Sequence, residues 1–466
     1  MSDLHNKLRI ISHLASMLFA RTSQRQRLMG IIVTLFVSMM LLMHHTSTST
    51  DSGVTKSYLS NSLDKLNGFY KETKKTYVSD YTQMTFEEIT DALTFKHKSD
   101  KRRKEIIKDN MKHYTEFVLT KINEPKTGNL VRGPAEKEEY VLANATLLVL
   151  VRNKELDGLI KTITQIEEKF NKKFHYPYTL INDEAFTDNF KKKVEEVASG
   201  KIEYVHLTPE EWGTPSHLDQ KKIDRAFDMM EEQHIQYGTL LSYRHMCRFN
   251  SATFYNLPAL KKYKWYWRFE PDTDYYCEID YDLFKFMEDN DKTYGFTINL
   301  YDHPITVETL WRVTMEFVKE HPEYVHPNGA FEWLTNDLQN PWHALFTGGY
   351  SGCHFWSNFE IGDMDFFRAE PYTKWMERLN ENGGFYYERW GDAPVHSIGL
   401  GLFADKSKVH WFRDIGYRHG PYANCPNSDK CRGCRATEFG PESLYTENCM
   451  AQWIDYSMVD KDFALY

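Results

Sequence analysis

Several features that would point to common function classes are missing from this 466-residue chain. It carries no basic excess. Lys and Arg number 57 against 66 Asp and Glu, the net charge is −9 and the pI is near 6.1, so the electrostatic footprint of a nucleic-acid binder is absent. No G-x-G-x-x-G follows the first strand that the sequence predicts, which leaves a Rossmann-type dinucleotide site without support. No internal repeat is visible, and repeat architectures announce themselves that way. What is abundant is aromatic: 15% of residues, including 11 Trp and 29 Tyr. Such rings suit the apolar faces of sugars, and equally a large core.

One absence is local. Residues 28–43 contain no charge, while Lys7, Arg9, Arg21, Arg25 and Arg27 precede them. Basic residues before an apolar run hold that end in the cytosol. The run is short for a bilayer that needs about 20 apolar residues, but thinner membranes accept shorter spans. A cleaved signal peptide is the alternative, and no small-x-small cleavage site ends the run. The expected layout is a cytoplasmic tail at 1–27, a transmembrane signal anchor at 28–45, a partly helical stem at 46–135 and a luminal catalytic domain at 136–466. Helical spacing is visible within the stem at 86–93 and 106–119.

A lumen agrees with two further features. Asn144-Ala145-Thr146 is a glycosylation sequon. Seven cysteines are present, at 247, 277, 353, 425, 431, 434 and 449. The last four, spaced C-x5-C-x2-C-x14-C, read either as a zinc site or as disulfide partners. An oxidising compartment favours disulfides and leaves one cysteine over.

From Tyr140 the pattern changes. An apolar run at 141–151 predicts a strand buried on both faces, followed by a helix over 156–170. Strands at 178–182 and 202–207 flank a helix at 190–197. This alternation predicts an α/β domain with a mainly parallel sheet. A further strand at 264–269 runs into Glu270-Pro271-Asp272-Thr273-Asp274, and Pro271 stops its ladder. Three carboxylates therefore sit past the carboxyl end of a strand, where open α/β sheets place ligands. Spacing alone makes this a D-x-D centred on Asp272 and Asp274, suited to a hard divalent cation on a nucleoside diphosphate. Arg152, just after the first strand, is a candidate phosphate or guanine contact, or simply a strand-end arginine. Helices are expected over 307–318 and around Trp375, Met376 and Leu379, the second ended by Asn382-Gly383-Gly384.

Four long motifs now carry a resemblance: W-Y-W-R-F-E-P-D at 265–272, C-H-F-W-S-N-F-E-I at 353–361, Y-E-R-W-G-D-A-P-V-H-S at 387–397 and H-W-F-R-D-I-G-Y at 410–417. In this order they resemble the fungal α-1,2-mannosyltransferases of glycosyltransferase family 15, over about 144–453. The resemblance implies a GT-A-like fold and retaining transfer of mannose from GDP-mannose to the 2-OH of an α-mannoside. It further implies N- or O-linked glycan acceptors, Mn²⁺ and a Golgi type II membrane protein. It moves the weight of the acidic segment to Glu270 and Asp272 at the GDP–Mn²⁺ site and makes Asp274 optional. It assigns metal ligation to His419, in G-Y-x-H. Glu360 takes the place of the proposed nucleophile, either forming a glycosyl-enzyme or only stabilising oxocarbenium character. Tyr243 is placed near the sugar, with a core aromatic as the plain alternative, and Asp392 is placed on the acceptor. His396 is read as structural, packed behind a turn at 391–397. Rivals are a mannosylphosphate transferase and a non-catalytic mannan-binding or complex-forming protein.

Overall fold

The computed structural model describes residues 81–126, 130–133 and 140–458. The expected tail, anchor and first part of the stem lie outside them. Among the described residues no helix is long and apolar enough to cross a membrane.

Two helices, α1 (Phe86–Ala92) and α2 (Arg103–Leu119), open the described chain. Thr85 and Glu88 form a reciprocal capping box on α1. Both helices fall in the expected stem, and α2 packs against the body. Tyr114 and Val118 of α2 are buried, and the Phe117 ring stacks on Trp411. Arg103 bonds to Gln339 and Asn340, and Arg413 donates to the Phe117 and Thr120 carbonyls. Helical spacing with a charged outer face reads the same for a stem as for a helix that packs at its edge.

The body is organised on a sheet of seven strands. Its first three follow the expected alternation: β1 (Ala145–Leu150), β2 (Tyr178–Asn182) and β3 (Ile202–His206), with α3 (Leu156–Lys169) and α4 (Asp188–Glu195) between them. β1 starts later than its apolar run predicts, because Val141 and Leu142 are exposed. In the sequon, Asn144 is exposed, whereas Thr146 is buried and its hydroxyl bonds to Thr179. α5 (Leu241–Ala252) leads to β4 (Trp265–Arg268), which pairs parallel to β1.

The other half of the sheet departs from simple alternation. β5 (Asp274–Tyr275), β6 (Tyr294–Phe296), β7 (Asn299–Tyr301), β8 (Cys353–Phe355), β9 (Glu360–Asp363), β10 (Val409–Trp411), β11 (Tyr417–His419) and β12 (Tyr422–Asn424) complete the strands described. The large sheet runs β10-β6-β9-β4-β1-β2-β3. β9 is antiparallel to both β4 and β6, and the remaining pairings are parallel. The result is a mixed α/β fold with a mainly parallel sheet. Two small sheets, β12-β11-β5 and β7-β8, sit beside it.

Helix α6 (Leu310–Glu320) begins after a 3₁₀ turn at Pro304–Thr306, later than its periodicity implied. Helix α7 (Glu370–Asn382) ends at Gly383 in the left-handed region, as the Asn-Gly-Gly signal predicts. The segment expected as a turn at 391–397 is instead the start of α8 (Asp392–Phe403), buried along its length. Three disulfides join Cys277–Cys431, Cys353–Cys449 and Cys425–Cys434. Cys247 is left free and buried, so the four-cysteine cluster is not a zinc site.

Candidate active site

The carboxyl end of β4 turns sharply after Glu270. Asp272 adopts φ +59°, a left-handed conformation unusual for a side chain with a Cβ. The turn is pinned from both sides. Thr273 donates its hydroxyl to the Glu270 carbonyl at 2.9 Å and its amide to the Thr162 hydroxyl of α3 at 3.1 Å. Gly158 in the first turn of α3 makes room for the Asp272 carboxylate, which a Cβ there would meet at 2.5 Å. The three carboxylates therefore face different surroundings. Asp274 is committed to Lys161 at 2.8 Å and Gln165 at 3.2 Å on α3. Asp272 is exposed against that helix. Glu270 turns toward β4 and β11.

Arg268, buried on β4, is the hub of the site. Its guanidinium donates to Glu270 Oε1 at 2.6 Å and to Asp392 Oδ2. Asp392 Oδ2 also accepts from the Ser357 hydroxyl at 2.7 Å. Asp392, the expected acceptor contact, is 4% exposed and anchors Arg268 at the start of α8. Burial works against the Arg268 charge, but the Asp392, Glu270 and Glu360 carboxylates outweigh it and raise its pKa. Burial likewise opposes the Asp392 carboxylate, and Arg268 with His396 overcomes this and lowers its pKa.

Glu360 pairs in register with Arg268 across β4 and β9. It is only 1% exposed. Tyr266 donates to its Oε1 at 3.0 Å, Tyr294 to its Oε2 at 2.8 Å, and His396 Nδ1 lies 2.9 Å from Oε2. Gly362 makes this possible, because a Cβ there would stand 2.7 Å from the Tyr266 ring. His396 was read as structural behind a turn. It lies on α8, one helical turn after Asp392, and touches the candidate nucleophile directly. Arg268, Tyr266, Tyr294 and His396 are the residues sequence reasoning missed. The strand period could have found two of them, since Tyr266 and Arg268 share a face of β4 with Glu270.

Tyr243 lies on α5. Its hydroxyl accepts from Arg389 at 3.1 Å, and Arg389 reaches Asp302 at 3.4 Å. Burial pushes the Tyr243 phenol well above its ordinary range. Its ring stacks on the exposed Tyr237, at 4.8 Å between centroids. Arg152 stands half exposed past β1, at the same sheet edge as Glu270, and pairs with Glu155 at 2.5 Å.

His419 comes from the far end of the chain. β11 pairs with β5, with Arg418 opposite Asp274, and this brings His419 Nε2 to 3.8 Å from Glu270 Oε2. On its other side, Nδ1 is 3.2 Å from the Asn358 amide, and the ring packs edge-on to Trp356. Adjacent donors on an octahedral ion with bonds of about 2.1 Å stand roughly 3 Å apart, and opposite donors about 4.2 Å apart. At 3.8 Å the carboxylate–imidazole pair lies between these spacings, within a small side-chain adjustment of sharing one divalent cation. Among the described residues no third His, Cys, Asp or Glu joins it, so diphosphate oxygens and water would complete the shell, as is usual for hard ions on nucleotides.

Comparison with known proteins adds to this geometry. The family model described as glycolipid 2-alpha-mannosyltransferase matches residues 104–458. The probable mannosyltransferase KTR4 of Saccharomyces cerevisiae is 50% identical over 370 residues, 78% of this chain and 79% of the relative. Glycolipid 2-alpha-mannosyltransferase 1 of Candida albicans is 44% identical over 321 residues, 69% and 71% of the two chains. The structure of S. cerevisiae Ktr4p in complex with GDP matches with a TM-score of 0.78 and 49% identity, covering 82% of this chain and 99% of that one. Core-mannan synthase A from Aspergillus fumigatus, in its Mn/GDP form, matches with a TM-score of 0.71 and 48% identity, covering 73% and 93%.

Proposed function

Because this chain belongs to the glycolipid 2-alpha-mannosyltransferase family, and is thus a glycosyltransferase, we propose that it moves mannose from GDP-mannose to the 2-OH of an α-mannoside with retention. The acceptors are N- or O-linked glycans, and the setting is the Golgi lumen behind an N-terminal anchor. The observation that carries the donor assignment is the Glu270–His419 pair at the sheet edge. A Mn²⁺ ion held there supplies the positive charge that makes a diphosphate a leaving group.

The chain's own residues do the rest. Arg268 fixes Glu270 toward the cation and Asp392 beneath it, so the edge is preorganised before donor arrives. Arg152 stands where it can meet the nucleotide, and Tyr243 with Arg389 lines the sugar side. In the transfer the bond from the anomeric carbon to the phosphate oxygen breaks and a bond to the acceptor O2 forms. The acceptor proton leaves with the departing phosphate oxygen. Glu360 is sealed and held by three hydrogen bonds, which favours a role as a fixed negative charge that stabilises the oxocarbenium-like centre over a role as a covalent nucleophile.

The test uses the full chain in detergent with GDP-mannose labelled in both sugar and β-phosphate, Mn²⁺ and α-methyl mannoside. Released GDP and an α-1,2-linked mannobioside are expected. Label from phosphate in the product would make it a mannosylphosphate transferase, and mannoside binding without GDP release would make it a binding protein. Replacing Glu360→Gln removes the fixed charge and is expected to lower turnover about 100-fold or more with GDP binding intact. Near-normal turnover would remove Glu360 from the chemistry.

A further inference from the structure

We propose that His396 is an imidazolium whose task is to keep Glu360 an anion, making it a positioning residue for the transfer. This rests on the reading of Glu360 given above. His396 is fully buried, and its Nε2 lies 2.9 Å from the backbone carbonyl of Asn250. A carbonyl has no proton to offer, so Nε2 carries one. Nδ1 lies 2.9 Å from Glu360 Oε2, and a contact between these two atoms also needs a proton. Two arrangements satisfy it: an imidazolium facing a carboxylate, or a neutral imidazole facing a carboxylic acid.

The surroundings choose the first. Glu360 also accepts from the hydroxyls of Tyr266 and Tyr294, one to each oxygen. A carboxyl that accepts from two phenols and lies in register with the Arg268 charge is favoured in its charged form. Both phenols are buried and kept protonated by burial and by Glu360 itself. The charged groups facing this pair are Arg268 on β4 and Asp392 on its own helix. Tyr372 on α7 also faces it, but its hydroxyl is committed to the Ser251 carbonyl. The remaining rings against His396 are Phe254 and Phe367. Counting the sealed groups, Arg268 and a charged His396 balance Asp392 and an ionised Glu360, and a neutral His396 is balanced only by a protonated Glu360, which its two phenol donors disfavour. Unpaired buried charge is the costly case. Glu270, at the open edge, is left for the cation. Burial would push the His396 pKa down, yet Glu360 and Asp392 more than reverse this and raise it.

Without the imidazolium, Glu360 loses one of the three partners that hold its charge in place. The test uses the full-length enzyme with His396→Gln and Glu360→Gln. At saturating GDP-mannose and Mn²⁺, His396→Gln is expected to lower kcat about 100-fold and leave KM for GDP-mannose within a factor of a few. The acid limb of its kcat–pH profile should move upward by one pH unit or more. A purely structural role would lower kcat without moving that limb, and this outcome overturns the proposal. If His396→Gln does not fold, ¹⁵N-histidine spectra of the native enzyme and of Glu360→Gln decide. A ring with both nitrogens protonated at pH 7.5 that turns neutral in Glu360→Gln supports the ion pair. A neutral ring in the native enzyme rejects it. The spectra read the ion pair even if the enzyme fails to release GDP, so failure of the functional reading is seen separately.

Discussion

The two ends of the Arg268 guanidinium meet different worlds. One end holds Asp392, in a sealed cluster with Glu360 of β9 and His396 of α8. The other holds Glu270, at an open edge shared with Asp272 and His419. In the sealed cluster every charge has its partner inside the protein, so the field is set by the fold and needs no reorganisation when substrate arrives. At the edge the groups are left for a ligand to complete. The same side-chain types thus serve as architecture on one side and as binding site on the other, and burial decides which.

The largest break in this comparison is Arg268→Met. It strands Asp392 in a buried site and is expected to cost about 3–5 kcal/mol in folding stability, read by denaturant unfolding. Its pH dependence sharpens the point. The lowered Asp392 pKa means this group's contribution to native stability is present above an unfolded value of about 3.9 and is lost as pH falls through the folded value. In Arg268→Met the sign reverses, because protonating an unpaired buried carboxyl relieves it, so the difference between mutant and native should shrink on acidification.

Next comes Gly362→Ala, which drives a methyl into the Tyr266 ring. Overpacking of this kind costs about 1–3 kcal/mol, visible as a lower melting temperature, and pulls a donor from Glu360. At the open edge, His419→Ala should leave stability within about 0.5 kcal/mol. The Mn²⁺ concentration needed for half-maximal turnover should instead rise by at least about 10-fold. The smallest effect is Asp274→Asn. Its partner Lys161 is half exposed, so the ion pair is worth about 0–1 kcal/mol, and turnover should not change. A loss of Mn²⁺ dependence there would reopen a D-x-D centred on Asp272 and Asp274.

How much of this the sequence disclosed follows from the range of the interactions. The β1 core, Thr-Leu-Leu-Val-Leu, and the alternation through β3 were legible because a strand buried on both faces leaves a local apolar run. The Gly383 stop on α7 was legible because a left-handed cap asks for glycine. The acidic turn was visible because Pro271 and three carboxylates are neighbours in the chain. β9 was not, since Glu-Ile-Gly-Asp has no run and no period; its place in the sheet comes from Gly362 letting Tyr266 pass over it. The resemblance brought His419 to the edge and Glu360 and Asp392 into play. It did not disclose that those two carboxylates are sealed, because burial depends on Arg268, Tyr294 and His396 converging from β4, β6 and α8. The helices at 86–119 were read as stem because nothing local distinguishes a helix that lies against a body from one that leads to it.

That last helix carries a consequence in time. The Leu119 carbonyl accepts from Asn427, 308 residues later, and the Phe117 carbonyl from Arg413, 296 residues later. At roughly 5–20 residues per second of synthesis, α2 waits about 15–60 s for the segment that covers Tyr114 and Val118. Trp411, Arg413 and Asn427, which hold the carboxyl-terminal turn of α2, all lie beyond residue 410. Folding of this domain therefore cannot finish in the order in which it is made, and α2, made early, is among the last elements to be secured.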